Sequence, residues 1–154
     1  MMVKGVSVIV CACGLDLRPN LMRAMGSSVG SEGQSITVYL SRSQSAQLLQ
    51  DIASTGHLAV VFTQPHSHRA IQIKAADARI RSADDTDVGL LVKYRASMEQ
   101  ELALIGFDAA FTRAMYNCGL DDLVAVSFTP QQAFDQTPGP RAGNPLPPDG
   151  MPTP

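Results

Sequence analysis

The sequence predicts an α+β domain: a small antiparallel barrel, closed or nearly closed, with helices packed outside it. Three observations lead there. Six short runs rich in Val, Ile and Leu are separated by turn residues. The first three runs follow one another with only turns between them, an antiparallel meander rather than the strand–helix alternation of a parallel sheet. The chain also has 154 residues, 45% hydrophobic and 17% charged, enough to bury a core without disulfide or metal staples.

Residues 6–13 are dense in Val and form the first strand. Asp16 and Pro19 then mark a turn. Residues 21–29 make a second strand interrupted at Gly26, a glycine that signals a bulge or a close approach to the backbone. The hairpin signal SEGQ at 31–34 leads into a third strand over 36–40. The period then changes: Ala46, Leu48, Leu49, Ile52 and Ala53 recur at helical spacing. Ser41 and Gln44 supply an S-x-x-Q capping box, and Gly56 ends the helix. Residues 57–62 and 69–80 are the fourth and fifth strands, joined by a turn around Pro65. In RSADDTD, Asp87 is the expected N-cap of a second helix. Leu91, Tyr94, Met98, Leu102 and Ile105 give that helix its apolar stripe. A short helical piece follows over 109–116. Residues 123–128 are the sixth strand, and Pro130 ends its pairing. From Thr137 the chain carries seven of its ten prolines. We therefore divide it into a domain over 1–143 and a flexible tail over 144–154.

The net charge of −2 provides no general field for nucleic acid. No run approaches the roughly 20 apolar residues of a membrane helix. The N-terminal MMVKGVSVIVCACG reads as a strand rather than a secretion signal, because its core is short and β-branched. Three cysteines without a C-x-x-C read as free, buried thiols, and the expected location is the cytoplasm.

Chemistry is sparse. Ser41, Arg42 and Ser43 precede a helix N-terminus, which is either a phosphate cradle or ordinary capping beside a solvated arginine. Arg23, Arg69 and Lys74 fall on or beside strands and either face solvent or line one anionic pocket. The His66/His68 pair lacks a third ligand, so no metal site is expected. No nucleophile, P-loop or dinucleotide motif is present, and the catalytic residues stay unassigned. The stiff stretch AFDQTPGPRAG places Pro138 and Gly139 for a type II turn that Pro140 leaves open. It either presents Arg141 or simply ends a strand before the tail.

Four stretches together are similar to one family. They are GVSVIVCACGLDLRPNLMRAMG, ITVYLSRSQSAQLLQDI, HLAVVFTQPHSHRAIQIKAADARI and LVAVSFTPQQAFDQTPGPRAG. Over residues 6–143 the chain resembles the pyridoxamine 5′-phosphate oxidase-like proteins, the flavin-binding split barrels; the T-P-G-P-x-A-G ending is the most specific part. The resemblance implies a six-stranded Greek-key split barrel, a homodimer, and FMN in a cleft between subunits. It directs cofactor binding to Arg23, Ala24, Met25, Val38, Tyr39, Ser41, Arg42, Gln44, Ser45, Arg69 and Gln72; Arg141, from the stiff loop, either touches the cofactor or closes the cleft. Two departures stand out. Gln44 and Ser45 replace an Arg-Lys pair at the helix start, and Ala70 replaces a glutamine after Arg69. The expected function is an FMN-dependent oxidoreductase acting on a small molecule other than pyridoxamine phosphate. The alternative is a non-catalytic or haem-binding dimer, with His57, His66 or His68 as the axial ligand.

Overall fold

Strand periodicity sets the first layer. In β1 (Ser7–Cys13), Val8, Val10 and Ala12 are buried, while Ser7, Ile9, Cys11 and Cys13 lie half-buried on the opposite face. β2 (Pro19–Arg23), β5 (Leu58–Thr63), β6 (Ala70–Ala75) and β9 (Gln132–Asp135) join it in the order β2-β1-β5-β6-β9. β3 (Gly26–Val29), β4 (Ile36–Ser41), β7 (Arg79–Ser82) and β8 (Leu123–Phe128) form a second sheet in the order β3-β4-β8-β7. The pairings within both sheets are antiparallel. The computed structural model describes residues 4–30 and 33–147. The two sheets do not close on each other, yet Val8, Val10, Val60, Val38, Leu40 and Val126 from both meet in one apolar cluster.

The α+β class and the antiparallel pairing agree with the sequence, but among the described residues nine short strands replace the six predicted. The run 21–29 serves both sheets and breaks where it crosses. Ala24 N–H donates to Val8 O at 2.8 Å in the first sheet, and Met25 N–H to Tyr39 O at 2.6 Å in the second. Gly26 is a point of close approach: a Cβ there would lie 2.4 Å from Leu91 Cδ2 and 3.1 Å from the Tyr94 ring. The run 69–80 likewise divides between β6 of the first sheet and β7 of the second. Pro130 ends β8, but the chain re-enters the first sheet as β9, starting with Gln131 N–H on Lys74 O at 3.0 Å. Residues 144–146, expected in the tail, return along β9: Asp135 N–H donates to Asn144 O and Leu146 N–H to Ala133 O. Residues 148–154, and Ser31 and Glu32 of the predicted hairpin turn, lie outside the described residues.

The helices are α1 (Ala46–Thr55), α2 (Asp85–Ala103) and α3 (Ala109–Met115). α1 ends at Gly56 in the left-handed region, as expected, but its N-cap is Ser45 with no side-chain cap bond. Ser41 Oγ does accept the Gln44 N–H of the predicted box, but Ser41 belongs to β4 and the helix starts only at Ala46, so the box does not cap it. α2 starts one turn earlier than expected: Asp84 is the N-cap, and Asp87 is the N3 residue of a reciprocal capping box. Leu91, Tyr94, Met98 and Leu102 are buried, whereas Ile105 lies beyond the helix end and is exposed.

Asp87 also ties α2 to the second sheet. Tyr39 Oη donates to Asp87 Oδ1 at 2.9 Å, and Arg81 makes a two-pronged contact at 2.6 and 2.9 Å. The Arg81 guanidinium, chiefly, holds the Asp87 carboxyl down to about 2, against its own desolvation. Burial, first, and then the Asp87 carboxylate push the Tyr39 hydroxyl up to about 12, against the bond it shares with Ser28. The two groups have opposite pH windows. The Asp87 contribution is complete above the unfolded carboxyl value of 3.8 and is lost as pH falls through about 2. The Tyr39 contribution is complete below 10.0 and is lost as pH rises through about 12. Asp87→Asn is expected to flatten the acid limb of a stability–pH curve from urea denaturation, and Asp87→Ala to cost about 2 kcal/mol at neutral pH by removing the carboxylate that Arg81 and Tyr39 share.

Candidate functional site

The register of β4 with β8 builds the first part of the site. Their ladder ends at Ser41 opposite Leu123, so Arg42 and Asp122 face each other next. Arg42 N–H donates to Asp122 O at 2.6 Å. The Asp122 carboxylate then accepts from Ser43 N–H at 2.8 Å, Ser43 Oγ at 2.8 Å and Ser41 Oγ at 2.5 Å. These bonds, that of Ser41 first, hold the Asp122 carboxyl below its ordinary value. Gln44 N–H reaches Ser41 Oγ at 3.3 Å. Ser45 Oγ, at the N-cap of α1, is buried without a hydrogen-bond partner. Arg42 extends the other way, to Ser82 Oγ at 3.4 Å. The structure thus brings Ser41, Arg42, Gln44 and Ser45 into one turn, and a carboxylate of the chain itself occupies its donors.

The remaining predicted residues fall elsewhere. Ala24, Met25, Val38 and Tyr39 are buried, with Met25 and Tyr39 packed against Leu91, Leu123 and Ala125. Arg23 ends β2 with its guanidinium 5.7 Å from the Tyr116 ring centroid. Arg69 and Arg141 meet around Asp135, whose carboxyl is held low first by Thr137 and then by the two arginines. Arg141 is 83% exposed, with Nε 4.0 Å from Asp135 Oδ2. Its loop differs from the predicted type II turn. Gly139 has φ 149°, and the closed turn lies two residues on, with Ala142 N–H donating to Gly139 O and Pro140 and Arg141 at its centre. Arg23 thus sits on the edge strand β2, Arg42 follows β4 of the second sheet, and Arg69 precedes β6, on the far side of β1 and β5 from β2.

A cross-strand row connects two of the expected residues. Arg23 pairs with Ile9, Ile9 with Val61, Val61 with Gln72, and Gln72 with Phe134. Cross-strand partners share a face, and all five of these side chains are half-buried on the outside of the first sheet. The next row runs Leu21, Cys11, Ala59, Lys74 and Gln132. Beside it opens a cavity of about 510 Å³, lined among others by Cys11, Cys13, His57, Ala59, Lys74 and Gln132. Lys74 Nζ lies 4.8 Å from the Phe134 ring centroid. Six of the ten side chains in these two rows are apolar. A phosphate does not fit turn 41–45 while Asp122 holds it, because the same donors cannot serve two anions. Sequence reasoning missed Asp122, Phe134 and the half-buried Ile9 and Val61. The acidic pair Asp121–Asp122 just ahead of an apolar strand was the one available signal for the first.

The histidines divide as well. His66 Nδ1 is 2.6 Å from Glu101 Oε1, and the His66 backbone N–H donates to the same oxygen at 3.0 Å, so this residue fastens the β5–β6 loop to α2. His68 has φ 56°, and His57 lines the open cavity. Among the described residues no group of three or more His, Cys, Asp or Glu is placed to hold a metal ion, and no helix is long and apolar enough to cross a membrane. All three cysteines are free and half-buried rather than fully buried. Burial pushes the Cys11 thiol above its ordinary value, and the neighbouring Cys13 adds to this. The Cys118 thiol is raised by burial and then by Asp122. Cys11 and Cys118 are expected to alkylate with iodoacetamide more slowly at pH 8 than a free-cysteine peptide does, measured by mass spectrometry over time.

No family model and no curated protein matches the chain. Solved structures do. HupZ of Group A Streptococcus aligns over 90% of each chain at 12% identity with a TM-score of 0.54. An F420 reductase aligns over 86% of this chain and 91% of its own at 12% identity, TM-score 0.55. A candidate pyridoxamine 5′-phosphate oxidase of Lactobacillus delbrueckii aligns over 83% of each chain at 15% identity, TM-score 0.51. At such identities the likeness concerns the fold, and it agrees with the resemblance carried by the four sequence stretches. The chain has the fold of the pyridoxamine 5′-phosphate oxidase-like proteins.

Proposed function

We propose that the protein is a cytoplasmic oxidoreductase that works as a homodimer, with a flavin-type cofactor, FMN in the first instance, held against the outer face of the first sheet. The observation that carries the reading is the half-buried row Ile9, Val61, Gln72 and Phe134 beside a cavity of about 510 Å³. An apolar sheet face of this kind gains by being covered, and a second copy covering it would enclose a flat ring between subunits. The likeness in fold to an F420 reductase supports a redox role.

When bound, a flavin supplies electron transfer to or from a small-molecule substrate. The chain's own part is to bind and orient. Ile9, Val61 and Phe134 offer apolar contact to a ring, Gln72 offers an amide to its polar edge, and Arg23 places a cation at the end of the same row. Cys11 and Cys13 stand in the wall of the adjoining cavity. The ring rather than the phosphate supports the reading, since turn 41–45 is bound to Asp122.

Sedimentation is expected to give a dimer of the 16.4 kDa chain, and titration with FMN to quench flavin fluorescence. Val61→Arg is expected to give a monomer and weaken flavin binding at least about tenfold, a loss of about 1.4 kcal/mol. A monomeric native protein that leaves flavin fluorescence unchanged would overturn the reading. The second reading, a non-catalytic or haem-binding dimer, is favoured by one feature, His57 in the cavity wall. It predicts a Soret band on adding haemin that His57→Ala abolishes.

A further inference from the structure

We propose that Asp122 is a specificity determinant: it takes the place of a phosphate in turn 41–45, so that the native protein accepts a ligand carrying no phosphoryl group there. The inference deepens the reading above and rests on it for the identity of the ligand, while the competition for the turn stands on the turn's own donors.

The turn has the parts of an anion site. It joins two hydroxyls, a backbone N–H and the start of a ten-residue helix. An anion is also seated in it. Both Asp122 oxygens are engaged, one by Ser43 N–H and the other by the Ser41 and Ser43 hydroxyls. A second observation shows that the site is incompletely satisfied. Ser45 Oγ, 2% exposed as a residue, has no hydrogen-bond partner while Asp122 holds the turn. A phosphate monoester presents three terminal oxygens where a carboxylate presents two, one acceptor more for a turn in which Ser45 Oγ stands unpaired.

Asp122 is hard to displace for a geometric reason. The β4–β8 ladder fixes its backbone opposite Arg42, so the carboxylate is delivered within the molecule and needs no association step. A phosphate entering the turn would meet that charge at contact distance and find the donors taken. The residues that lead into α1 agree with this. They are Gln44 and Ser45, both uncharged, so the helix start adds no cation of its own to draw a phosphate past a carboxylate.

The test compares the full-length native protein with Asp122→Asn and Asp122→Ala, each checked for folding by circular dichroism. Inorganic phosphate binding is read by titration calorimetry against chloride at matched ionic strength, and FMN and riboflavin by fluorescence quenching. The native protein is expected to show no heat from millimolar phosphate and to bind FMN and riboflavin within about threefold of each other. A folded variant is expected to bind phosphate and to prefer FMN by about tenfold or more. A native protein that already prefers FMN by that margin overturns the proposal, as do folded variants that gain nothing for phosphate. If Asp122→Ala fails to fold, Asp122→Asn decides alone, because it keeps an acceptor for Ser43 N–H and loses the charge. If phosphate binding appears in the variants while neither flavin binds any of the three proteins, the proposal for the turn stands and the flavin reading falls.

Discussion

Two consecutive amides divide the molecule. Ala24 N–H is committed to Val8 O and Met25 N–H to Tyr39 O, so one strand leaves the first sheet and enters the second within a single peptide unit. A regular strand alternates its amides between its two neighbours, and here those neighbours belong to different sheets. The two sheets therefore diverge at this point and stay split rather than closing. Gly26 follows immediately, where α2 crosses too closely to admit a Cβ. The bend also sets the geography of the site. On one side it ends β2 at Arg23, on the apolar outer row; on the other it places Tyr39 and Ser41 on β4, next to the turn that Asp122 holds.

The helix that crosses the bend is fixed by polar contacts at regular intervals. Asp87 reaches Tyr39 and Arg81 of the second sheet, Tyr94 donates to Val6 O just before β1, and Glu101 accepts from His66 in the β5–β6 loop. From 87 to 94 to 101 the step is close to two helical turns each time, so all three lie along one side of α2. All three are buried. A purely apolar stripe would tolerate sliding along the sheets, whereas buried polar groups with directional partners fix a register. The position of α2 over Gly26 is thus specified by directional bonds and filled in by Leu91, Met98 and Leu102.

What the sequence made legible was local. Val8, Val10 and Ala12 declare a strand by alternation, and Gly56 ends α1 because only a residue free in the left-handed region suits that position. The division of runs 21–29 and 69–80 was not legible, since it depends on which sheet each amide serves. β9 was hidden behind Pro130, which stops one ladder but does not prevent the chain from joining another. In the candidate site, the gathering of Ser41, Arg42, Gln44 and Ser45 followed from their adjacency in the chain. The separation of Arg23, Arg42 and Arg69 did not, because positive charge on a strand says nothing about which face or sheet it occupies. Asp122 was out of reach for a related reason: it is distant in sequence from Ser41 and meets it only through the β4–β8 register.

The placement of charge narrows what the outer face of the first sheet can recognise. Arg81 is engaged by Asp87, Arg113 by Glu99, and Arg141 by Asp135. These cations are already answered within the chain, and drawing an anion to them means competing with a carboxylate that is tethered nearby. The outer face offers Ile9, Val61 and Phe134 instead, with Arg23 and Lys74 each set beside an aromatic ring. Under the proposed function, selection at this face would depend on shape and on burial of apolar area, with charge acting at the margins. The same logic applies at turn 41–45, where the chain supplies its own anion: under the proposed function, a ligand would be chosen chiefly by its ring.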